Sequence, residues 1–242
     1  MESENLVLVF DTETSGLWPK NVDITHKNVN YPYIVQLSFI VFDFKKNVIV
    51  KSYNTYIKDL QNVDFNADAF RVTGITKEMC DSGVSIIEAI NEFHKYYLQV
   101  KHVVAHNLDF DKKMIQLEVI RNYEAMKMNS INDPWILFND TFNDLWGIKQ
   151  YCTMEKGKHI CNIIIKGKYG DFKKAPKLVE LYQKLFKATP ENLHDSLIDC
   201  MVCLKCYMKI HHSRVIDIPG MTITPIVPLS HPLTHAVAVN VP

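Results

Sequence analysis

The stretch Leu6–Leu17, LVLVFDTETSGL, decides how the rest of the chain is read. Five apolar residues, Leu6 to Phe10, have the β-branched and aromatic character of a fully buried strand, and a Thr-Ser-Gly turn ends it. Between run and turn stand two acids, Asp11 and Glu13. Side chains alternate along a strand, so both acids face one way and Thr12 the other. Two like charges side by side at the end of a core strand are costly unless a cation lies between them, and hard divalent cations prefer oxygen ligands. The pair therefore reads as half of a metal site, against the simpler alternative of a solvated strand end.

Downstream of this strand, WPKNVDITHKNVNYPYI has no regular period and reads as a long loop. Its Trp18, Lys20, Lys27, Tyr31 and Tyr33 are residue types that stack on bases and touch phosphates. Val35–Phe44 and Val48–Ile57 then read as two strands turning at Lys45-Lys46-Asn47, which with the first strand makes an antiparallel meander. An amphipathic helix follows over Ser85–Leu98. His102–Ala105 is a short buried strand that passes through His106-Asn107 into a helix with Phe110, Met114, Leu117 and Ile120 at helical spacing. Asp109 or Asp111 falls on its first turn, where acids are also ordinary dipole partners.

Pro134–Ile148 is irregular or briefly helical. Between Lys149 and Lys177, eight lysines stand against one Glu and one Asp. The net of +6 makes this segment the best candidate for a phosphate-facing patch, with a solvated basic loop as the alternative. Pro176 suits the first position of a helix striped by Leu178, Leu181, Tyr182 and Leu185. In the last strong helix Leu197, Met201, Leu204 and Met208 form the buried face. His194 and Asp199, five apart, would lie about 140° apart on one helix. They converge only if His194 precedes the helix.

Composition narrows the class. The 27 basic and 27 acidic residues among 242 cancel, so a polyanion partner must be held by a local patch or bound metal. The sequence has no basic-then-apolar leader and no apolar run of membrane-spanning length, which predicts a soluble, intracellular protein. The six cysteines read as reduced thiols, and Cys200, Cys203 and Cys206, at three-residue steps on one helix, as small core residues and not zinc ligands. From His211 onward the chain is rich in proline and poor in charge. We read residues 1–210 as the domain and 211–242 as an extended tail that wraps it or docks a partner.

Taken together, Asp11-x-Glu13 on a first strand, H-N-x-x-F-D ending at Asp111, and His194-x4-Asp199 near a late helix resemble the DEDDh branch of the DnaQ-like 3′→5′ exonucleases. Gln36, the T-G-I-T of Thr73–Thr76 and the P-K-L-x-E-L-Y of Pro176–Tyr182 extend the resemblance over most of the chain. It selects Asp111 over Asp109, and His194 marks the branch, since the sister branch carries Tyr four before the last acid, where this chain has Asp195.

The resemblance implies an α/β, ribonuclease H-like fold: a mixed sheet whose first three strands are antiparallel, with helices on both faces. It implies two Mg²⁺ or Mn²⁺ ions held by Asp11, Glu13, Asp111 and Asp199, with His194 as general base toward the attacking water. Thr14, Leu17 and Phe110 would seat the terminal nucleotide. The implied activity is release of nucleoside 5′-monophosphates from single-stranded 3′ ends in proofreading, repair or degradation, on DNA before RNA. RNA-end trimming and a non-catalytic nucleic-acid-binding module are the alternatives. The loop at 18–33 is longer, and the tail further, than the resemblance accounts for; a proofreading role would give the tail a polymerase, or another protein, to dock on.

Overall fold

A computed structural model describes residues 3–26, 29–61, 63–128, 133–167 and 170–226. In chain order the elements are β1 (Leu6–Thr14), β2 (Ile34–Asp43), β3 (Val48–Tyr56), α1 (Asp68–Thr73), α2 (Lys77–Asp81), α3 (Ile86–Tyr97), β4 (His102–Ala105) and α4 (Leu108–Met128). A 3₁₀ turn at Pro134–Ile136 leads to α5 (Asp140–Trp146), β5 (Lys149–Cys152), α6 (Thr153–Cys161), β6 (Ile164–Ile165), β7 (Phe172–Lys173), α7 (Leu178–Phe186), β8 (Ala188–Pro190), α8 (Ser196–His212) and β9 (Ile223–Pro225).

Five strands form the main sheet in the order β3-β2-β1-β4-β5. The first three are antiparallel, and β4 and β5 run parallel to β1. Alternation along β1 assigns the layers. Leu8 and Phe10 pack with Ala89, Ile90 and Phe93 of α3 and with Met114 and Ile115 of α4. Val7 and Val9 face the other way, onto Cys200, Cys203 and Leu204 of α8. Helices therefore cover both faces, as an α/β sheet with buried parallel strands requires.

Several local expectations are revised. β5 and α6 lie in the first half of the lysine-rich stretch without having shown in the sequence, because a four-residue strand with a lysine at its start carries little hydrophobic period. On α4, Leu117 and Met114 are buried but Ile120 is 41% exposed, and the buried face runs instead through Leu108, Asp111, Ile115, Glu118 and Val119. Helix α8 lies between the sheet and α7, so it is buried nearly all round from Val202 to Met208 instead of along one stripe. Pro176 precedes α7 by two residues, with Lys177 at the cap.

The loop after β1 is folded on itself. The Trp18 indole donates to the carbonyl of Val22 and its ring meets Tyr31 at 5.1 Å. Tyr31 is buried, and the Arg121 guanidinium lies over the Tyr33 ring at 4.0 Å. Tyr31 is thus taken up in packing, while Trp18 and Tyr33 remain half-buried; Lys20 stays exposed, and Lys27 lies outside the described residues. Beyond α8 the chain continues against the domain: Ile216 and Ile218 are buried with the α8 cluster, and β9 pairs antiparallel with β8. The remainder of the tail, 227–242, lies outside the described residues.

The three α8 cysteines are free and buried, and burial raises their thiols well above the ordinary range. Across the sheet, His106 joins three elements: its Nδ1 is 2.9 Å from the Thr153 hydroxyl at the start of α6, and its Nε2 is 3.0 Å from the carbonyl of Pro176. Burial pushes this imidazole down to about 4, so it is neutral. A carbonyl can only accept, hence Nε2 carries the proton and Nδ1 accepts from Thr153.

Candidate active site

The face of β1 that carries Val7 and Val9 ends in Asp11 and Glu13, and so delivers both carboxylates beneath the start of α8. Asp199 stands on the first turn of that helix. His194 lies in the turn before it, with a left-handed φ of 73°. The turn undoes the 140° separation a continuous helix would impose. Ligand atoms of Glu13, His194 and Asp199 all lie within 4.8 Å of one another, a group able to hold a metal ion.

Asp111 arrives from the opposite layer. It sits on the first turn of α4, is buried, and accepts at Oδ1 from both the amide and the hydroxyl of Thr12, at 3.1 and 2.7 Å. Thr12 faces away from its two acidic neighbours and so links them to α4.

The electrostatics show how tightly the acids are gathered. Burial is the largest cause of the shift at each of the four. Asp11 is raised well above the carboxylate range by burial and then by Asp111, Asp199, Glu13 and Asp195. Glu13 is pushed up to about 8 by burial and by Asp199, Asp111 and Asp195. Asp111 is raised to about 7 by burial against the opposing Thr12 bonds, and Asp199 to about 7 by burial against the His194 amide. Four carboxyls that raise one another in a desolvated cleft favour a cation at their centre. The donor set fits a hard divalent ion, and one atom marks a vacancy in the hydrogen bonding: Asp199 Oδ1 is buried with no partner, while Oδ2 accepts from the His194 amide at 3.3 Å.

The placement of α8 rests on polar contacts that the sequence pattern does not display. Ser38 lies opposite Asp11 and Gln36 opposite Glu13 in the β1–β2 register. Asn54 Oδ1 on β3 accepts from Gln36 Nε2 and from the Ser38 hydroxyl, both at 2.9 Å. The single Ser38 proton being used, Ser196 donates to Ser38 at 2.6 Å, and the Ser196 amide donates to Gln36 Oε1 at 3.4 Å. Asp195, the α8 cap, accepts from the amides of Leu197 and Ile198 and lies 3.4 Å from Gln36 Nε2. Only Gln36 had a sequence signal, as part of the motif pattern.

A cleft of about 500 Å³ opens beside Glu13, lined by Thr14, Ser15, Gly16 and Leu17 on one side and by Ala67, Asp68, Ala69, Val72 and Thr73 on the other. Leu17 is 88% exposed over it, while the Thr14 hydroxyl donates to the Gly16 carbonyl and shapes the turn. Phe110 is half-buried against the α3–α4 core, outside the residues lining this cleft. The α1 wall was not foreseen from sequence beyond the T-G-I-T that follows it.

Acids brought together at one strand end from β1, α4 and α8, a histidine in a turn and an adjoining apolar cleft define an α/β protein with the fold of DnaQ-like exonucleases. The exonuclease family model RNase_T matches residues 8–207, and the chain belongs to that family. Among solved structures, one of exonuclease I superposes with a TM-score of 0.60 at 17% identity, over 87% of this chain and 42% of that one. E. coli exonuclease I bound to a 5cy-dT13 oligonucleotide gives 0.58 at 16% identity, over 87% and 42%. The zinc-bound form of the E. coli exonuclease I complex with single-stranded DNA gives 0.59 at 16%, over 87% and 42%. The chain thus spans about two fifths of the length of these structures. No curated protein matches the sequence. No helix among the described residues is long and apolar enough to cross a membrane.

Proposed function

We propose that this chain is a metal-dependent 3′→5′ exonuclease that releases nucleoside 5′-monophosphates from single-stranded ends, on DNA before RNA. The observation that carries the reading is the convergence of Asp11, Glu13, Asp111 and Asp199 at one strand end, with His194 at their edge. Preference for DNA is supported by the single-stranded DNA held by E. coli exonuclease I.

Asp11, Glu13, Asp111 and Asp199 are the residues that would hold two Mg²⁺ or Mn²⁺ ions, which when bound supply charge neutralisation at the phosphate and acidification of water. Asp11, which feels Asp111, Asp199, Glu13 and Asp195 together, is the natural shared ligand. His194 is exposed at the mouth and takes the proton of the attacking water. The water oxygen forms a new bond to phosphorus as the bond to the 3′ oxygen of the preceding nucleotide breaks. The products are a 5′-monophosphate and a shortened strand with a 3′ hydroxyl. Thr14 and Leu17 seat the terminal nucleotide in the cleft beside Glu13; a contact from Phe110, which lies outside that lining, rests on the family resemblance alone.

The test is digestion of 5′-labelled single-stranded DNA and RNA of one sequence with Mn²⁺ and with EDTA. A ladder shortening from the 3′ end only with metal, faster on DNA, is expected. Activity retained in EDTA, or internal cuts, would remove the reading.

A further inference from the structure

We propose that the β6–β7 arm is a landing surface for the single strand behind the 3′ end; the proposal rests on the exonuclease reading for its direction but not for its binding. The chain is neutral as a whole, and its excess of lysine lies between Lys149 and Lys177. Part of that charge is already spent: Lys158 pairs with Glu155 at 2.7 Å and Lys174 with Glu180 at 2.8 Å. Lys166, Lys173 and Lys177 are exposed and have no ion-pair partner among the described residues.

The arm also shows apolar surface that a solvated basic loop would hide. Ile164 is 48% exposed, Ile165 39% and Phe172 55%. Pairing of Ile164 with Lys173 and of Ile165 with Phe172 places lysine on one face of the ribbon and the aromatic ring on the other. Unpaired nucleic acid is divided in the same way, into a phosphate side and a base side. A strand running along the ribbon's edge meets lysine with one and Phe172 with the other. A duplex offers its phosphates but no unstacked base, so it would use only half of this surface.

The arm is tied to the end of β4, from which the chain runs into α4 and Asp111. Three residues after Lys173, the Pro176 carbonyl accepts from His106, five residues before Asp111. Three extended residues reach at most about 11 Å, so Lys173 and Lys177 flank the edge of the sheet where α4 begins.

The experiment uses the full chain carrying Asp11→Asn, in EDTA, with 5′-labelled (dT)20 read by fluorescence anisotropy over a salt series. Combining Lys166→Ala, Lys173→Ala and Lys177→Ala should weaken binding at least tenfold and flatten the slope of log affinity against log salt by about 2. Phe172→Ala should weaken binding at least about fivefold with the slope unchanged. With Asp11 restored and Mn²⁺ added, hydrolysis of the p-nitrophenyl ester of thymidine 5′-monophosphate, too short to reach the arm, should keep its rate in these variants. Unchanged affinity and slope in the triple variant would overturn the proposal, as would equal losses on a blunt duplex of the same length. A wild-type chain that binds (dT)20 but hydrolyses nothing would sink the catalytic reading alone; an active one whose arm variants bind as it does would sink the arm alone.

Discussion

Thr12 holds Asp111 by two hydrogen bonds to a single oxygen, its amide and its hydroxyl both donating to Oδ1 at 3.1 and 2.7 Å. The residue between the two acids of β1 thus fixes a third acid from a helix 99 positions away in sequence. Thr12→Val keeps the shape and the amide bond but loses the hydroxyl. It should destabilise by about 1 kcal/mol and lower turnover through a displaced Asp111, readable as a weaker Mn²⁺ midpoint with unchanged substrate KM.

His194 is exposed beside Glu13 and Asp199, and the proposed reaction gives it the proton of the attacking water. His194→Ala should cut turnover at pH 8 by about 10² or more while leaving Mn²⁺-dependent binding of (dT)20 intact. Near-full activity in that variant would exclude the general-base role.

Burial, and after it the neighbouring carboxyls of Asp111, Asp199, Glu13 and Asp195, raises Asp11 well above the carboxylate range. Asp11→Asn should abolish turnover and, because it removes a buried charge among like charges, raise the melting temperature in EDTA at pH 8. A variant that melts lower than wild type under those conditions would show that Asp11 is held by contacts other than repulsion.

The raised carboxyls also set a pH dependence of stability. Glu13 at about 8, and Asp111 and Asp199 at about 7, hold protons more tightly folded than unfolded, where carboxyls titrate near 4. Their contribution is complete below about pH 4 and is lost as pH rises through 7 to 8. Metal-free wild type should therefore lose more stability between pH 6 and pH 8.5 than Asp199→Asn does. Mn²⁺ should raise the melting temperature more at pH 8.5 than at pH 6. Calorimetry with and without EDTA reads both.

Ile216 and Ile218 belong to the cluster under α8. A chain stopped after Ser213 should lose about 3 to 6 kcal/mol, at roughly 1.5 to 3 kcal/mol per buried isoleucine. Urea unfolding of that truncation against the full chain measures it; an unchanged midpoint would show that these residues pack without stabilising.

What the sequence disclosed followed from short-range periodicity. The run into Asp11 and Glu13 marked a buried strand with its acids on one side, and HVVA before His106-Asn107 marked a strand entering a helix. The five-position step from His194 to Asp199 required a turn between them, and that turn is present. What stayed hidden depends on distant partners. Asn54 looks like any polar residue on an edge strand until Gln36 and Ser38 meet on it and Ser38 in turn takes Ser196. KQYC shows no strand pattern because β4 alone supports it. Trp18 and Tyr31 looked free because residue type does not tell whether an aromatic meets a ligand or another aromatic.

One ring, that of His106, clasps the first turn of α6 and the approach to α7 to the sheet. A genetic screen for inactive alleles will return hits at this position alongside those in the acids, and they will look alike. The difference is mechanical: such alleles yield an assembly whose hinge pin has been drawn, and refolding at low temperature can rescue them where no amount of cooling revives a missing carboxylate.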